Sequence, residues 1–333
     1  MKTILIASIH GLKNIGGLER VNQYLYEILC SKYKVKVITG TKKTFKHGNW
    51  ILQSIIVSLK LFFIPHNFVI GTSWHSFLFP CDITFHHGTM KGIQNHIGGD
   101  PVYSKRIGTM EQISAKIAKL NIAVGENVKD ELIKLYNIPT AKIKVLNNFV
   151  NDSFFYPKNE YNNKENKIKI LFVGRTEQRK GISELEKLSK YLDSHSELNY
   201  ELHIACHTKN TDIFDNYKKT FLHINLSPDE IVNFYNSGDV FYFPTKYEGF
   251  SMSTLESLSC GTPVIGTSWA IGKELRNLKM CKIIENREIS YLLKEISLLK
   301  QEFSSKREEI HLIIKEKFGR TSYEKKLFKL INL

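Results

Sequence analysis

Val240-Phe-Tyr-Phe-Pro-Thr-Lys-Tyr-Glu248-Gly-Phe-Ser-Met-Ser-Thr-Leu-Glu256, continued by Ser-Leu-Ser-Cys-Gly-Thr-Pro-Val-Ile265, reads as a strand, a loop, a helix and a second strand. Val240 to Phe243 is a short apolar run, and Pro244 stops it because proline cannot donate to a ladder. Ser253 or Thr254 is the expected N-cap of the helix, which should end near Gly261. A helix N-terminus exposes N–H groups and the positive end of its dipole, so it suits a phosphate. The small residues Gly249, Ser251 and Ser253 would let a ligand approach the backbone. Glu248 and Glu256 offer acceptors to sugar hydroxyls. Phosphate plus hydroxyl recognition points to a nucleotide sugar. The same spacing also suits a solvated loop acid and an ordinary first-turn helix acid.

The next informative stretch lies upstream. Lys169 to Val173 is an apolar strand, followed by Gly174-Arg175-Thr-Glu-Gln-Arg-Lys180-Gly181 and a helix over 182–192. An Arg and a Lys at a strand end beside a helix start make a clamp for a diphosphate, the Arg in bidentate fashion and the Lys as a point charge. Together, Gly-Arg-x₄-Lys-Gly, Glu-Gly-Phe with a second Glu eight positions on, and Gly-Thr-Pro-Val resemble the signature of retaining glycosyltransferases of family 4, of GT-B architecture. The resemblance runs over nearly the whole chain. It implies an α/β fold of two Rossmann-like domains facing across a cleft, with the nucleotide sugar held mainly by the second.

The first half shows the same alternation. Strands are expected at 2–8, 34–39, 68–72, 83–86, 121–125 and 142–147, with helices at 51–63, 106–120 and 128–136 and one carrying Val21, Leu25, Ile28 and Leu29. Residues 94–103, with glycines and a proline, are expected to be a mobile loop on the acceptor side. The Gly16-Gly17 loop between strand and helix suggests phosphate contact, but it is neither a Walker loop nor a dinucleotide fingerprint. Gly16-Gly-Leu-Glu-Arg-Val21 is similar to the family loop that lies against the donor. His86-His87-Gly88-Thr89 follows a strand, where ligands gather in open α/β sheets, and alternation allows one imidazole to face the cleft. A family tripeptide selects His87; a hydrogen-bonded structural histidine is the other reading. Asn147-Asn-Phe-Val-Asn151 departs from the family's Pro-Asn-Gly-Val-Asp.

Domain limits are expected at 1–153 and 168–317, joined by a polar linker over 154–167, with a final helix at about 318–333 packing back on the first domain. Residues 286–317 are expected to be helical. His203 and His207 lie four apart but in a strand and turn, so a metal is not expected there.

The 333 residues carry a formal charge of +14, distributed as +10 over 1–153 and +4 over the remainder. A basic first half favours an anionic partner: a membrane surface, a phosphorylated acceptor or nucleic acid. It also suits a plain lysine-rich surface. Residues 106–120, with Ile107, Met110, Ile113, Ile117 and Leu120 on one side and Lys105, Arg106, Lys116 and Lys119 in or beside the range, could rest on anionic lipid or cover a sheet. Five single cysteines fit a reducing compartment, and the start of the chain lacks a signal-peptide pattern. The apolar run at 50–71 is broken by Lys60 and by Pro65-His-Asn67, too early for a span of about 20 residues.

The resemblance implies a retaining, metal-independent transfer of a hexose-type sugar from a nucleoside-diphosphate sugar, UDP favoured, to a glycan or lipid-linked glycan acceptor in bacterial surface polysaccharide synthesis. The protein would be cytoplasmic, with possible peripheral contact with an anionic membrane and no nucleic-acid partner. Catalytic positions are then His87, Arg175, Lys180 and Glu248. Donor contacts are Gly16, Gly17, Arg175, Lys180, Glu248, Gly249, Phe250, Ser251, Met252, Ser253, Thr254 and Glu256. Arg175, Lys180 and the N–H groups near Ser253 and Thr254 would hold the diphosphate. Glu256 would take the ribose, Glu248 and His87 the sugar, and no side chain is placed as a covalent nucleophile. Other classes are an epimerase or hydrolase of nucleotide sugars, a basic nucleic-acid-binding protein, and an inactive sugar-binding relative.

Overall fold

A computed structural model describes residues 2–9, 11–12, 17–40, 50–158, 167–207, 211–285 and 288–331. The chain divides into two units, Met1–Asn148 with Glu324–Leu333, and Phe149–Tyr323. Each is built on a parallel six-stranded sheet, the arrangement expected when helices cover both faces and the central strands are apolar throughout.

The first unit contains β1 (Thr3–Ala7), α1 (Gly17–Cys30), β2 (Lys34–Ile38), α2 (Trp50–Phe63), β3 (Phe68–Thr72), β4 (Ile83–His86), α3 (Met90–Ile97), α4 (Pro101–Ile117), β5 (Leu120–Ala123), α5 (Glu126–Tyr136) and β6 (Ile143–Val145). Its strand order is β2-β1-β3-β4-β5-β6. β1, β3 and β4 are almost wholly buried, whereas the edge strand β2 alternates between exposed and half-buried.

Two expectations for this unit are corrected. Residues 94–103 are not a long loop: α3 runs through Ile97, and α4 starts at Pro101. Asp100 caps α4 by accepting from the N–H groups of Val102 and Tyr103, and Pro101 sits at the first helical position, where its missing N–H is harmless. Only the glycines Gly98 and Gly99, both at positive φ, break the helices. The buried face of α4 is also not the isoleucine stripe. Ile107 and Met110 are buried, but Ile113 and Ile117 are exposed, and Glu111 and Ser114 point inward instead.

The second unit contains β7 (Ile168–Val173), α6 (Ile182–Ser194), β8 (Tyr200–Cys206), β9 (Thr220–Ile224), α7 (Pro228–Ser237), β10 (Val240–Phe243), α8 (Met252–Ser259), β11 (Val264–Gly266), β12 (Cys281–Ile283), α9 (Ile289–Phe303) and α10 (Arg307–Phe318). Its order is β12-β11-β10-β7-β8-β9. From β7 the chain builds outward through β8 to β9, then returns to lay β10 on the other side of β7. The chain leaves β7 toward β8 on one side and β10 toward β11 on the other, so the switch point of the sheet lies between β7 and β10, where open α/β sheets form their ligand crevice. α7 opens with a full capping box from Ser227 and Glu230.

Most of the expected linker, 159–166, lies outside the described residues. Its first part packs on the second unit: Phe155 is buried against Tyr235, and Lys158 donates its N–H to Asn236 at 2.8 Å. The last helix, α11 (Arg320–Ile331), carries the chain from the second unit to the first, where Phe328 lies under the Lys32 ammonium.

Candidate functional site

The two motif loops of the second unit meet at its switch point. Gly181, between the β7 loop and α6, has φ +85°, and a Cβ there would run into the Pro244 carbonyl at the end of β10. Only glycine allows both that conformation and that approach. The loops are then stitched together. Lys246 donates its N–H to the Arg179 carbonyl at 2.8 Å, and the Thr245 hydroxyl donates to the same oxygen at 3.0 Å.

Three side chains converge on one oxygen of Glu248. Lys180 Nζ lies 2.6 Å from Oε1, Arg179 Nη1 3.1 Å and Thr245 Oγ1 3.2 Å. Arg179 also holds the Tyr247 carbonyl at 3.0 Å, and the Lys180 ammonium sits over the Phe243 ring. Side-chain exposure is 14% for Lys180 and Glu248 and 22% for Arg179. Burial pushes the Glu248 carboxyl up, but Lys180 and then Arg179 outweigh it and hold its pKa below the usual range. Burial likewise pulls the Lys180 ammonium down, against the opposing pull of Glu248. The result is an ionised carboxylate tied to two cations in a partly desolvated crevice. Arg175 is not part of this knot. It reaches outward, 62% exposed, and pairs with Glu177 at 3.0 Å.

The helix after the loop starts earlier than expected. Ser251, not Ser253 or Thr254, is the cap of α8, its Oγ accepting from the Thr254 N–H at 3.1 Å. A cap at Thr254 is excluded because that residue lies in the first turn and is fully buried, its hydroxyl donating to the Ala270 carbonyl. Thr254 thus has both its N–H and its side chain engaged within the protein, leaving Met252 and Ser253 as the half-buried first-turn residues. Gly249 is buried, and Phe250 packs on Phe318. Glu256 is buried on α8, with Oε2 accepting from the Tyr235 hydroxyl at 2.9 Å. Arg179, Thr245 and Tyr235 escape the sequence reading. Arg179 falls among the unspecified residues of Gly-Arg-x₄-Lys-Gly, and Tyr235 reads as a core residue of α7.

In the first unit, His86 ends β4 and His87 follows it. His86 is buried, with Nε2 2.9 Å from Asn121 Oδ1. His87 stacks on Phe85, and its Nε2 is buried with no hydrogen-bond partner among the described residues. Burial lowers both imidazoles to about 4, so both are neutral at physiological pH. The following loop is firmly held. Thr89 caps α3 and donates to Glu131 at 2.8 Å, while Met90 gives its N–H to Glu111 at 2.7 Å. Gly16 lies outside the described residues, and Gly17 is the first residue of α1. His203 and His207 go to different partners, His223 and Asn225. No group of three or more His, Cys, Asp or Glu able to hold a metal ion is present among the described residues.

Residues 157–275 match the family model of "Glycosyl transferases group 1". That range contains the Glu248 knot, its two motif loops and α8. Among curated relatives, the O-antigen chain mannosyltransferase RfbU of Salmonella typhimurium is 33% identical over 164 residues, 46% of this chain and 43% of RfbU. Matches to the first curated relatives span less than half of those proteins' length. Among solved structures, WaaG, a glycosyltransferase involved in lipopolysaccharide biosynthesis, superposes with a TM-score of 0.79 at 14% identity, covering 99% of each chain. Anabaena HepE in complex with UDP-glucose gives a TM-score of 0.73 at 12% identity, covering both chains fully. The fold is that of GT-B glycosyltransferases.

Proposed function

We propose that this protein is a glycosyltransferase that uses a nucleoside-diphosphate sugar to extend a surface polysaccharide. The observation that carries the proposal is the Lys180–Glu248–Arg179 knot at the switch point of the second sheet, beside the first turn of α8. RfbU acts in O-antigen synthesis and HepE binds UDP-glucose, which supports a glycan acceptor and a UDP-sugar donor here.

In this reading the donor's diphosphate lies at the start of α8, where the Met252 and Ser253 N–H groups and the helix dipole favour negative charge. Lys180 and Arg175 stabilise charge on the departing phosphate, and positioned cations act without reorganising during the reaction. Glu248 holds the Lys180 and Arg179 side chains in place and offers its remaining oxygen to sugar hydroxyls. Glu256 takes the ribose, and neutral His87 is assigned to the sugar, with its unpartnered Nε2 as the contacting atom. Transfer is of a hexose with retention. The acceptor hydroxyl attacks on the leaving-group face, gives its proton to the departing phosphate, and the C1–O bond to the diphosphate breaks without a metal ion. The acceptor is a glycan, free or lipid-linked, and the protein works at the inner face of the cytoplasmic membrane.

The test is transfer of radiolabelled sugar from a panel of nucleotide sugars into glycan. Arg175→Ala, Lys180→Ala and Glu256→Ala should each lower turnover by about 10²-fold or more at unchanged folding. Wild-type turnover in all three would remove the assignment. Label appearing only as free sugar, or as an altered nucleotide sugar, would favour a hydrolase or an epimerase.

A further inference from the structure

One buried acid of the first unit has no part in the reaction as proposed. Glu111 sits on the inward face of α4 with both carboxylate oxygens engaged. Oε1 accepts from the Ser73 hydroxyl at 2.8 Å, and Oε2 accepts from the Met90 N–H at 2.7 Å and from the Tyr136 hydroxyl. Those donors belong to the loop after β3, the first residue of α3 and the last residue of α5. Burial raises the pKa of the carboxyl, and the three donors oppose the rise. A buried acid is a poor source of stability, because its desolvation offsets most of what its contacts contribute. What it supplies is geometry.

Ser73 shows that the geometry is imposed. Its φ is +48°, disfavoured for a residue with a Cβ; the other two non-glycines at positive φ among the described residues are the more tolerant Asn137 and Asn225. Such a conformation persists only where the surroundings over-determine it. Every polar group of Ser73 is engaged. Its N–H donates to the Phe85 carbonyl at 2.7 Å, its carbonyl accepts from the Ser114 hydroxyl at 2.7 Å, and its hydroxyl goes to Glu111. Ser114 follows Glu111 by three residues on α4, so α4 sets two of the three contacts.

β3 and β4 are paired in parallel, and the loops after them leave the same end of the sheet. His87 lies between the two points that Glu111 fixes. Before it, Phe85 carries the imidazole stacked on its ring and is tied through its carbonyl to Ser73. After it, Thr89 is held by Glu131, and Met90 is tied to Glu111 directly.

We infer that Glu111 is a positioning residue for sugar transfer: by holding Ser73 and Met90 it fixes His87 just beyond β4, so that the imidazole meets the sugar in one orientation. This rests on the assignment of His87 to the sugar in the proposed function. Glu111 acts through His87 and touches no substrate.

The test is a double-mutant cycle read by sugar transfer. Glu111→Met removes the acceptors at similar volume and should lower kcat by about tenfold or more, the scale of a misplaced group. UDP affinity should be unchanged, because UDP is assigned to the second unit. Glu111→Gln should restore turnover to within about threefold of wild type, since its oxygen can accept from Met90 and Tyr136 while its amide donates to the Ser73 hydroxyl. In a His87→Ala background Glu111→Met should cost less than about a further twofold, because the residue it acts through is gone. Ser73→Gly keeps the positive φ and deletes one contact; it should lower kcat in the same His87-dependent way, and it carries the cycle if Glu111→Met does not fold. NMR of isotope-labelled histidine reads the effect without turnover: the His87 signals should match wild type in Glu111→Gln and move or broaden in Glu111→Met and Ser73→Gly. Full turnover in Glu111→Met, a Gln variant as impaired as the Met variant, or unmoved His87 signals would overturn the inference. So would a loss that persists undiminished in the His87→Ala background. Wild-type transfer by His87→Ala would overturn it together with the His87 assignment. Absence of any transfer by the wild type, with His87 signals displaced in Glu111→Met, would refute the glycosyltransferase reading and leave the hold of Glu111 on His87 standing.

Discussion

Glu248→Gln is the most informative single change, because it keeps the shape of the knot and removes its only negative charge. Oε1 of Glu248 receives Lys180 at 2.6 Å and Arg179 at 3.1 Å, with the Thr245 hydroxyl 3.2 Å away. The glutamine oxygen can still accept, but two cations with 14% and 22% of their side chains exposed lose their counter-charge. Breaking a fully buried pair costs roughly 3–5 kcal/mol and an exposed one about 0–1 kcal/mol, so this site should lose about 2–3 kcal/mol. For a unit of this size that lowers the thermal midpoint by about 4–12 °C. The loss should depend on pH. The folded pKa of Glu248 lies below its unfolded value, so its stabilisation is present above the ordinary carboxylate range and fades as pH falls through the folded value. Wild type and variant should therefore converge in acid. Saturating UDP should raise the midpoint of the variant more than that of wild type, because the diphosphate supplies the missing anion. Scanning calorimetry with and without UDP reads all of this. Equal midpoints at neutral pH, or an equal gain from UDP, would refute the view that Glu248 balances these cations at a phosphate site.

Three further outcomes follow from the same geometry. Gly181→Ala forces a side chain into a left-handed conformation and against the Pro244 carbonyl; it should cost more than about 1 kcal/mol in urea unfolding and lower turnover, and a neutral result would contradict the close approach of the two loops. His86 is buried with its pKa lowered to about 4, so the folded state binds its proton only below that value while the unfolded chain binds it near 6.5. Stability should therefore fall by up to about 3 kcal/mol as pH drops from about 6.5 to 4, with a smaller slope in His86→Asn; a urea midpoint flat across that window would exclude it. Transfer should persist in excess EDTA, and its abolition would show that a metal ion takes part.

The apolar interior of both sheets was legible because strands buried on both faces announce themselves. Ile83–His86 and Val240–Phe243 are read from sequence at their observed limits. The strands missed, Thr220–Ile224 and Cys281–Ile283, are edge strands with few buried residues, so their sequences carry no apolar run. The break at 94–103 is ambiguous in sequence because glycine and proline mark both the end of one helix and the start of the next, and only the Asp100 cap tells them apart. Ser251, Ser253 and Thr254 are all acceptable caps by type, and the choice is made by a single hydrogen bond. The facing of α4 is hidden from hydrophobic spacing, which cannot reveal that Glu111 has three partners in the interior. Glu248 and Lys180 were legible as motif residues. Their direct pairing, and the part of Arg179 in it, depend on the turn at Gly181 and are visible only in three dimensions.

The central claim is that a nucleoside diphosphate binds at the cations of the joined loops after β7 and β10. Calorimetric titration of UDP into the wild type and into Lys180→Ala tests it most directly. The account predicts saturable one-to-one binding to the wild type and at least about tenfold weaker binding to the variant at equal folding, the loss of one charge-assisted phosphate contact. Equal affinity in the two proteins, or no heat of binding in the wild type for any nucleoside diphosphate, would contradict it.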